Sequence, residues 1–211
     1  MRNRPPKVFL SIFKNAIRRL VQMIDLTRYD NVTIADYFRK QGAQVGEGCS
    51  LLVRSLGTEP YLVKIGNHVT IAGGVNFITH DGAVWIFRQE IENIQVFGPI
   101  IIEDNCVIGE NAVLFPNIRV GPNSIVGAGS VVISDIAPNC IAMGVPARIW
   151  SSLDKYREKC VARWKEQEPP DIIIEPGRDW WTSKHFNQNR EKLRKHLIKL
   201  FWGDKTGKAG R

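Results

Sequence analysis

A period of six residues is the feature that most limits what this chain can fold into. Across residues 100–146 one position in every six is aliphatic: Ile102, Ile108, Leu114, Val120, Val126 and Val132. Glycine follows three of them, at Gly109, Gly121 and Gly127, and a small residue stands two positions before four of them, at Cys106, Ala112, Ser124 and Ser130. An amphipathic helix repeats near 3.6 residues and a half-buried strand repeats at two, so neither produces this pattern. A period of six fits a parallel β-helix, in which each hexapeptide is a short strand with a turn and three hexapeptides close one triangular coil. The aliphatic side chain points into the prism and the small one fills a crowded inner corner. Gly109, Asn111, Gly121 and Asn123 supply turn conformations that other residues adopt at a cost. No single coil can bury its own faces, so stability comes from stacking, at roughly 1.5–3 kcal/mol per buried aliphatic side chain.

The same frame reaches back to Val45, with Val45, Leu51, Ile65, Ile71 and Phe77 as the earlier inward residues. It breaks twice. Between Leu52 and Lys64 a segment bulges out, and residues 83–99 form a longer insertion, after which the frame resumes in a shifted phase. Loops of that length are uncommon within a compact domain and are usually functional. This one carries Trp85, Phe87 and Phe97, apolar enough to fold over a ligand. Ahead of the prism, residues 6–24 have a helical stripe of Val8, Phe9, Ile12, Phe13, Ile17, Leu20, Val21 and Ile24, opposite Lys14, Arg18 and Arg19. A second short helix is predicted over residues 33–41, ended by Gly42. After Arg148 the repeat stops. Residues 151–168 read as a charged helix, residues 171–181 as extended and residues 190–202 as a last amphipathic helix. The chain therefore divides into an N-terminal helical segment, 1–44, a β-helix domain, 45–148, and a C-terminal helical extension, 149–211.

Charge sorts along these divisions. The net charge is +8, but Lys and Arg outnumber Asp and Glu by nine to three in residues 1–44 and by fifteen to nine in 149–211, while the prism has five against nine. No basic cluster interleaved with aromatics on a recognisable module is present, which argues against nucleic acid as a partner. The basic ends read as solvated helix faces. The N-terminal stripe is expected to pack on the prism or on a partner subunit; the alternative is a basic amphipathic helix lying on an anionic membrane surface. No apolar run approaches the roughly 18 residues of a spanning helix, and no signal peptide is evident, so a cytoplasmic location is expected. None of the four cysteines, Cys49, Cys106, Cys140 and Cys160, forms a Cys-x-x-Cys pair, and no metal site is expected. Cys49 and Cys106 hold the small inner position and read as buried, reduced thiols.

The string "IIEDNCVIGENAVLFPNIRVGPNSIVGAGSVVISDIAPNCIAMGVPARI" resembles the C-terminal coils of the hexapeptide-repeat acyltransferases. The resemblance implies a left-handed parallel β-helix, flanked here by N-terminal helices and a C-terminal helical tail. That hand departs from the usual right-handed crossover of parallel strands. Residues 76–85, "NFITHDGAVW", resemble the active-site segment of sugar and capsular polysaccharide O-acetyltransferases and of xenobiotic, streptogramin-type acetyltransferases. By that resemblance His80 is the general base of an O-acetyltransferase acting on a sugar or glycan precursor. The chemistry agrees, because a sugar hydroxyl is a poor nucleophile and a neutral imidazole can take its proton as attack begins. Asn76, Asp81 and Trp85 are candidates for the acceptor side. Asp81 could orient the imidazole, bind an acceptor hydroxyl, or cap the loop's first turn with Gly82; Trp85 could stack on a sugar ring or anchor the loop. The resemblance also implies acetyl-CoA as donor, held at Gly109, Gly127, Ala128 and Ser130, with the Arg148 guanidinium on phosphate, in sites between the prisms of a homotrimer. Related enzymes often have Thr-Lys where this chain has Ile133-Ser134, so Ser134 can supply only a hydrogen bond where they place a charge. His68 reads as a solvent-facing turn residue. Two other functions are weighed beside this one: acetylation of an antibiotic hydroxyl, and a non-catalytic β-helix scaffold, for which His80, Asp81 and an aromatic loop would serve no purpose.

Overall fold

The computed structural model describes residues 12, 16, 17, 20, 24–168, 173 and 184–203. The chain forms two compact units, residues 1–154 and 155–211.

The first unit is a left-handed β-helix, with thirteen short strands on three faces among the described residues. One face stacks β1 (Gln44–Val45), β3 (Val63–Ile65), β6 (Ile100–Ile102) and β9 (Ile118–Val120). The second stacks β2 (Ser50–Leu51), β4 (Thr70–Ile71), β7 (Val107–Ile108), β10 (Ile125–Val126), β12 (Cys140–Met143) and β13 (Arg148–Ser152). The third holds β5 (Asn76–Phe77), β8 (Val113–Leu114) and β11 (Val131–Val132). The registers Ile100↔Ile118, Val107↔Ile125 and Val113↔Val131 each advance 18 residues, three hexapeptides per coil. The chain then does something the repeat does not foretell. Past the last coil it reverses, and β13 pairs antiparallel with β12. The sheet thus extends beyond Arg148, and the following helix, α2 (Leu153–Gln167), starts only at Leu153.

The six aliphatic residues of the repeat and the small residues Cys106, Ala112, Ser124 and Ser130 are all fully buried. Buried polar atoms need partners, and the inner corner provides them. The Ser124 hydroxyl donates to the Ala137 carbonyl at 2.9 Å, the Cys106 thiol donates to the Gly121 carbonyl at 3.1 Å, and Ser130 Oγ accepts from the Gly144 N–H at 3.1 Å. All four cysteines are free, with Cys49, Cys106 and Cys140 buried and Cys160 exposed. Burial pushes the Cys49 and Cys106 thiols above their ordinary pKa, which keeps them in the unreactive thiol form.

One prism edge is held by a column of left-handed residues. His68, Asn105, Asn123 and Asn139 have φ of 54°, 56°, 55° and 57°, a region that Asn tolerates better than most residues. Their side chains chain together: His68 Nδ1 to Asn105 Oδ1 at 2.8 Å, Asn105 Nδ2 to Asn123 Oδ1 at 2.8 Å, and Asn123 Nδ2 to Asn139 Oδ1 at 3.0 Å. His68 is therefore the head of a structural ladder. Asn105→Ala removes two of these bonds and leaves a Cβ-bearing residue strained, so a loss of about 1–2 kcal/mol is expected in chemical denaturation. An unchanged midpoint would mean that the column contributes nothing to stability.

The start of the prism is capped by α1 (Ile34–Lys40), whose Ile34 and Phe38 are fully buried. Arg39 fixes it there, donating to the Val45 carbonyl at 2.9 Å and the Gly46 carbonyl at 2.7 Å, with Asp36 and Glu47 as ion-pair partners. Leu26 and Tyr29 pack against the same core. The N-terminal stripe, expected to pack on the prism or on a partner subunit, is described at four of its apolar positions. Ile12, Ile17, Leu20 and Ile24 are helical and exposed, while Val8, Phe9, Phe13, Val21, Lys14, Arg18 and Arg19 lie outside the described residues.

In the second unit, α3 (Phe186–Trp202) is pinned by a two-way bond. The buried Asn189 accepts from the Ile173 N–H at 3.1 Å and donates to the Ile173 carbonyl at 2.8 Å. The rest of the segment read as extended, residues 171–181, lies outside the described residues. Among the described residues no helix is long and apolar enough to cross a membrane.

Candidate active site

The longer insertion can be measured from the registers. Val63 pairs with Ile100 and Asn76 with Val113, advances of 37 residues where a regular coil takes 18. The extra chain leaves after β5 and is closed at its base like a hairpin. The Asp81 N–H donates to the Val96 carbonyl at 2.9 Å, the Gly98 N–H donates to the Thr79 carbonyl at 3.0 Å, and His80 faces Phe97 across an antiparallel bridge. The two rings meet edge to face with centroids 6.3 Å apart. The insertion has structure of its own. Asp81 Oδ1 accepts from the Ala83 N–H at 2.8 Å and so starts a 3-10 helix over Gly82–Phe87, in which Val84 is buried. Of the roles open to Asp81, the carboxylate makes the capping contact.

The imidazole is oriented instead by a residue that the motif reading passed over. Glu59 lies at the end of the first phase break, just ahead of a 3-10 turn, Pro60–Leu62. Two extra residues in the first coil, seen in the register Gln44↔Lys64, bring this segment beneath the His80 corner. Gly57 makes the approach feasible: it sits at φ +86°, and a Cβ there would lie 2.6 Å from the Phe77 carbonyl oxygen. Glu59 Oε2 then accepts from both the buried Thr79 hydroxyl and His80 Nδ1, the latter at 3.0 Å. A carboxylate only accepts, so Nδ1 carries the proton and Nε2 is left with its lone pair.

Glu59 is 8% exposed. Burial by itself pushes its carboxyl up. Hydrogen bonds from Thr79 and His80, together with the positive charge His80 carries when its ring is protonated, outweigh burial, and its pKa ends below the ordinary glutamate value. A buried carboxylate, ionised and fixed on a ring that is itself 44% exposed at the side chain, is an arrangement suited to proton transfer. Glu59, His80, Asp81, Val84, Arg88 and Phe97 line a cleft of about 220 Å³ around it.

The other residues singled out by sequence fall elsewhere. Asn76 is exposed on β5, and its amide donates to the Gly74 carbonyl at 3.0 Å. Trp85 is 69% exposed, with the Arg88 guanidinium carbon 4.9 Å from its ring centroid. Gly109, Gly127, Ala128, Ser130, Ser134 and Arg148 belong to later coils, and none lines the His80 cleft. The coils themselves demand Gly109 and Gly127, where a Cβ would meet Ala128 N at 2.4 Å and Met143 Cβ at 2.8 Å. Ser130 is buried, Ser134 is exposed, and the exposed Arg148 donates from one guanidinium nitrogen to the Ala147 carbonyl at 2.9 Å. The exposed Ala128 and the open corner beside it at Gly129 (φ +68°) leave backbone reachable there. Among the described residues no group of three His, Cys, Asp or Glu is placed to hold a metal ion.

Residues 99–134 match the family described as "Hexapeptide repeat of succinyl-transferase". Among known proteins, the chain is 48% identical over 127 residues to Protein CapG of Staphylococcus aureus, covering 59% of this chain and 74% of that one. Among solved structures it is similar to a maltose O-acetyltransferase from Clostridium difficile 630, with 26% identity, TM-score 0.43, and 56% and 73% of the two chains covered. It is also similar to the serine acetyltransferase of Neisseria gonorrhoeae, with 31% identity and TM-score 0.41; 53% of this chain is covered, but only 38% of that longer protein.

Proposed function

This chain belongs to the hexapeptide-repeat acetyltransferase family, and on that premise we propose that it transfers acetyl from acetyl-CoA to a hydroxyl of a sugar or glycan precursor. His80 Nε2 takes the hydroxyl proton as the oxygen attacks the thioester carbonyl. The new carbon–oxygen bond forms, the carbon–sulfur bond breaks, and the departing thiolate takes the proton back from the imidazolium. Glu59 holds Nδ1–H throughout and stabilises the positive ring. The single observation that carries this reading is the buried Glu59 carboxylate bonded to His80 at the mouth of a cleft. It is tested by following thiol release from acetyl-CoA with a panel of sugars, sugar phosphates and glycan intermediates, and by finding the acetyl ester by mass spectrometry. Thiol release no faster with any acceptor than without one would sink it.

The donor positions suggest how the site is completed. Gly109, Gly127, Ala128, Ser130, Ser134 and Arg148 are absent from the His80 cleft of their own chain, so the reading places the donor between two prisms. The exposed apolar side chains Phe115 and Ile133, which follow β8 and β11 on the third face, are surface that a neighbouring prism would cover. A homotrimer is expected, giving three times 23.9 kDa by light scattering. A 23.9 kDa species that is active at micromolar concentration would overturn the shared site.

A further inference from the structure

The insertion brings a cation into the cleft that the proton-transfer chemistry does not use. Arg88 follows the 3-10 helix Gly82–Phe87, with its backbone N–H on the Trp85 carbonyl at 3.2 Å. Arg88 lines the same cleft as His80 and Glu59, and its guanidinium carbon lies 4.9 Å from the Trp85 ring centroid. The two carboxylates that line the cleft are committed elsewhere: Glu59 to Thr79 and His80, Asp81 to the Ala83 N–H. Among the described residues no carboxylate lies within ion-pair distance of Arg88. A guanidinium seated over an aromatic ring presents a planar fork of donors, which matches the two oxygens of a carboxylate or phosphate.

We propose that Arg88 binds an anionic group on the acceptor, so that the substrate is a sugar bearing a carboxylate or phosphate close to the hydroxyl that is acetylated. This rests on the proposed acetyl transfer for which molecule occupies the cleft. The anion belongs to the acceptor rather than to the donor because of where Arg88 sits. The phosphates of CoA are a whole pantetheine arm away from the thioester, whereas Arg88 shares about 220 Å³ with the base.

The test compares a neutral monosaccharide with its uronic acid and its 1-phosphate, by calorimetry on the full chain and by thiol release. The wild type is expected to prefer an anionic member, and the better of the two identifies the oxyanion. In Arg88→Gln that preference should fall by about 10- to 100-fold, the worth of a charge-assisted hydrogen bond, with Arg88→Lys keeping part of it. Equal binding of neutral and anionic members by the wild type, or an unchanged preference in Arg88→Gln, would overturn the inference. So would an equal rise in the KM for acetyl-CoA, which would put the anion on the donor. The two readings fail separately. Arg88-dependent anion binding without thiol release would refute acetyl transfer alone, and acetyl transfer with no anionic preference would refute the role of Arg88 alone.

Discussion

His80→Ala is expected to lower turnover by about 100- to 10,000-fold, the usual contribution of a positioned general base, while the KM for acetyl-CoA stays near its wild-type value. The two effects separate because the donor is assigned to late-coil backbone and Arg148, none of which lines the His80 cleft. The substitution should leave a folded protein. The side chain is nearly half exposed, and the loop base is zipped by the backbone bonds of Asp81 to Val96 and Gly98 to Thr79, which an alanine at position 80 retains. His68→Asn is the control. His68 heads the ladder at φ 54° and asparagine fills the other three places in that column, so activity and melting temperature should both hold. A folded His80→Ala protein that turns over at the wild-type rate would exclude the imidazole as base.

The prism was legible because its physics is periodic. Once Ile102 and its five successors were seen to recur at six, the burial of each, the small inner corner at Cys106 and Ser130, and the turn asparagines followed from stacking alone. His80 stood out first because residues 76–85 resemble the active-site segment of O-acetyltransferases, and its place, where the period ends and a long insertion begins, agreed with that. What did not follow lies where the period gives no guidance. Glu59 sits in a break of the repeat, and its link to His80 depends on two extra residues in the first coil and on Gly57 lying against Phe77. The register that joins the two segments is tertiary information. Asp81 beside the histidine was open to three roles, orienting the ring, binding an acceptor or capping the turn, and the N–H of Ala83 takes its carboxylate, as Asp commonly does at the start of a turn. The β13 reversal carries no hexapeptide signal. The helical stripe at Ile12, Ile17, Leu20 and Ile24 shows periodicity without showing its partner, and these four side chains are exposed.

Replacing Glu59 by glutamine separates the base from the group that orients it. Glutamine keeps the volume and can still accept from Thr79, but its amide then presents N–H to Nδ1, favouring the tautomer in which Nε2 holds the proton and cannot accept one. The expected loss in kcat is on the order of 100-fold, smaller than for His80→Ala because an imidazole remains, with the KM for acetyl-CoA again unchanged. Stability gives an independent reading of the same carboxylate. The folded pKa of Glu59 is depressed, so the fold favours the ionised form. Its stabilisation is complete above the ordinary glutamate pKa of about 4.3 and is lost as pH falls through the lower folded value. The melting-temperature gap between wild type and Glu59→Gln should therefore be widest near neutral pH and close on acidification below the glutamate range. A gap of constant size from pH 7 to pH 3 would mean that Glu59 contributes only shape, and the charge assigned to it beside His80 would have to be withdrawn. Loss of kcat together with a gap that closes in acid is the outcome that only an ionised carboxylate holding the ring would produce.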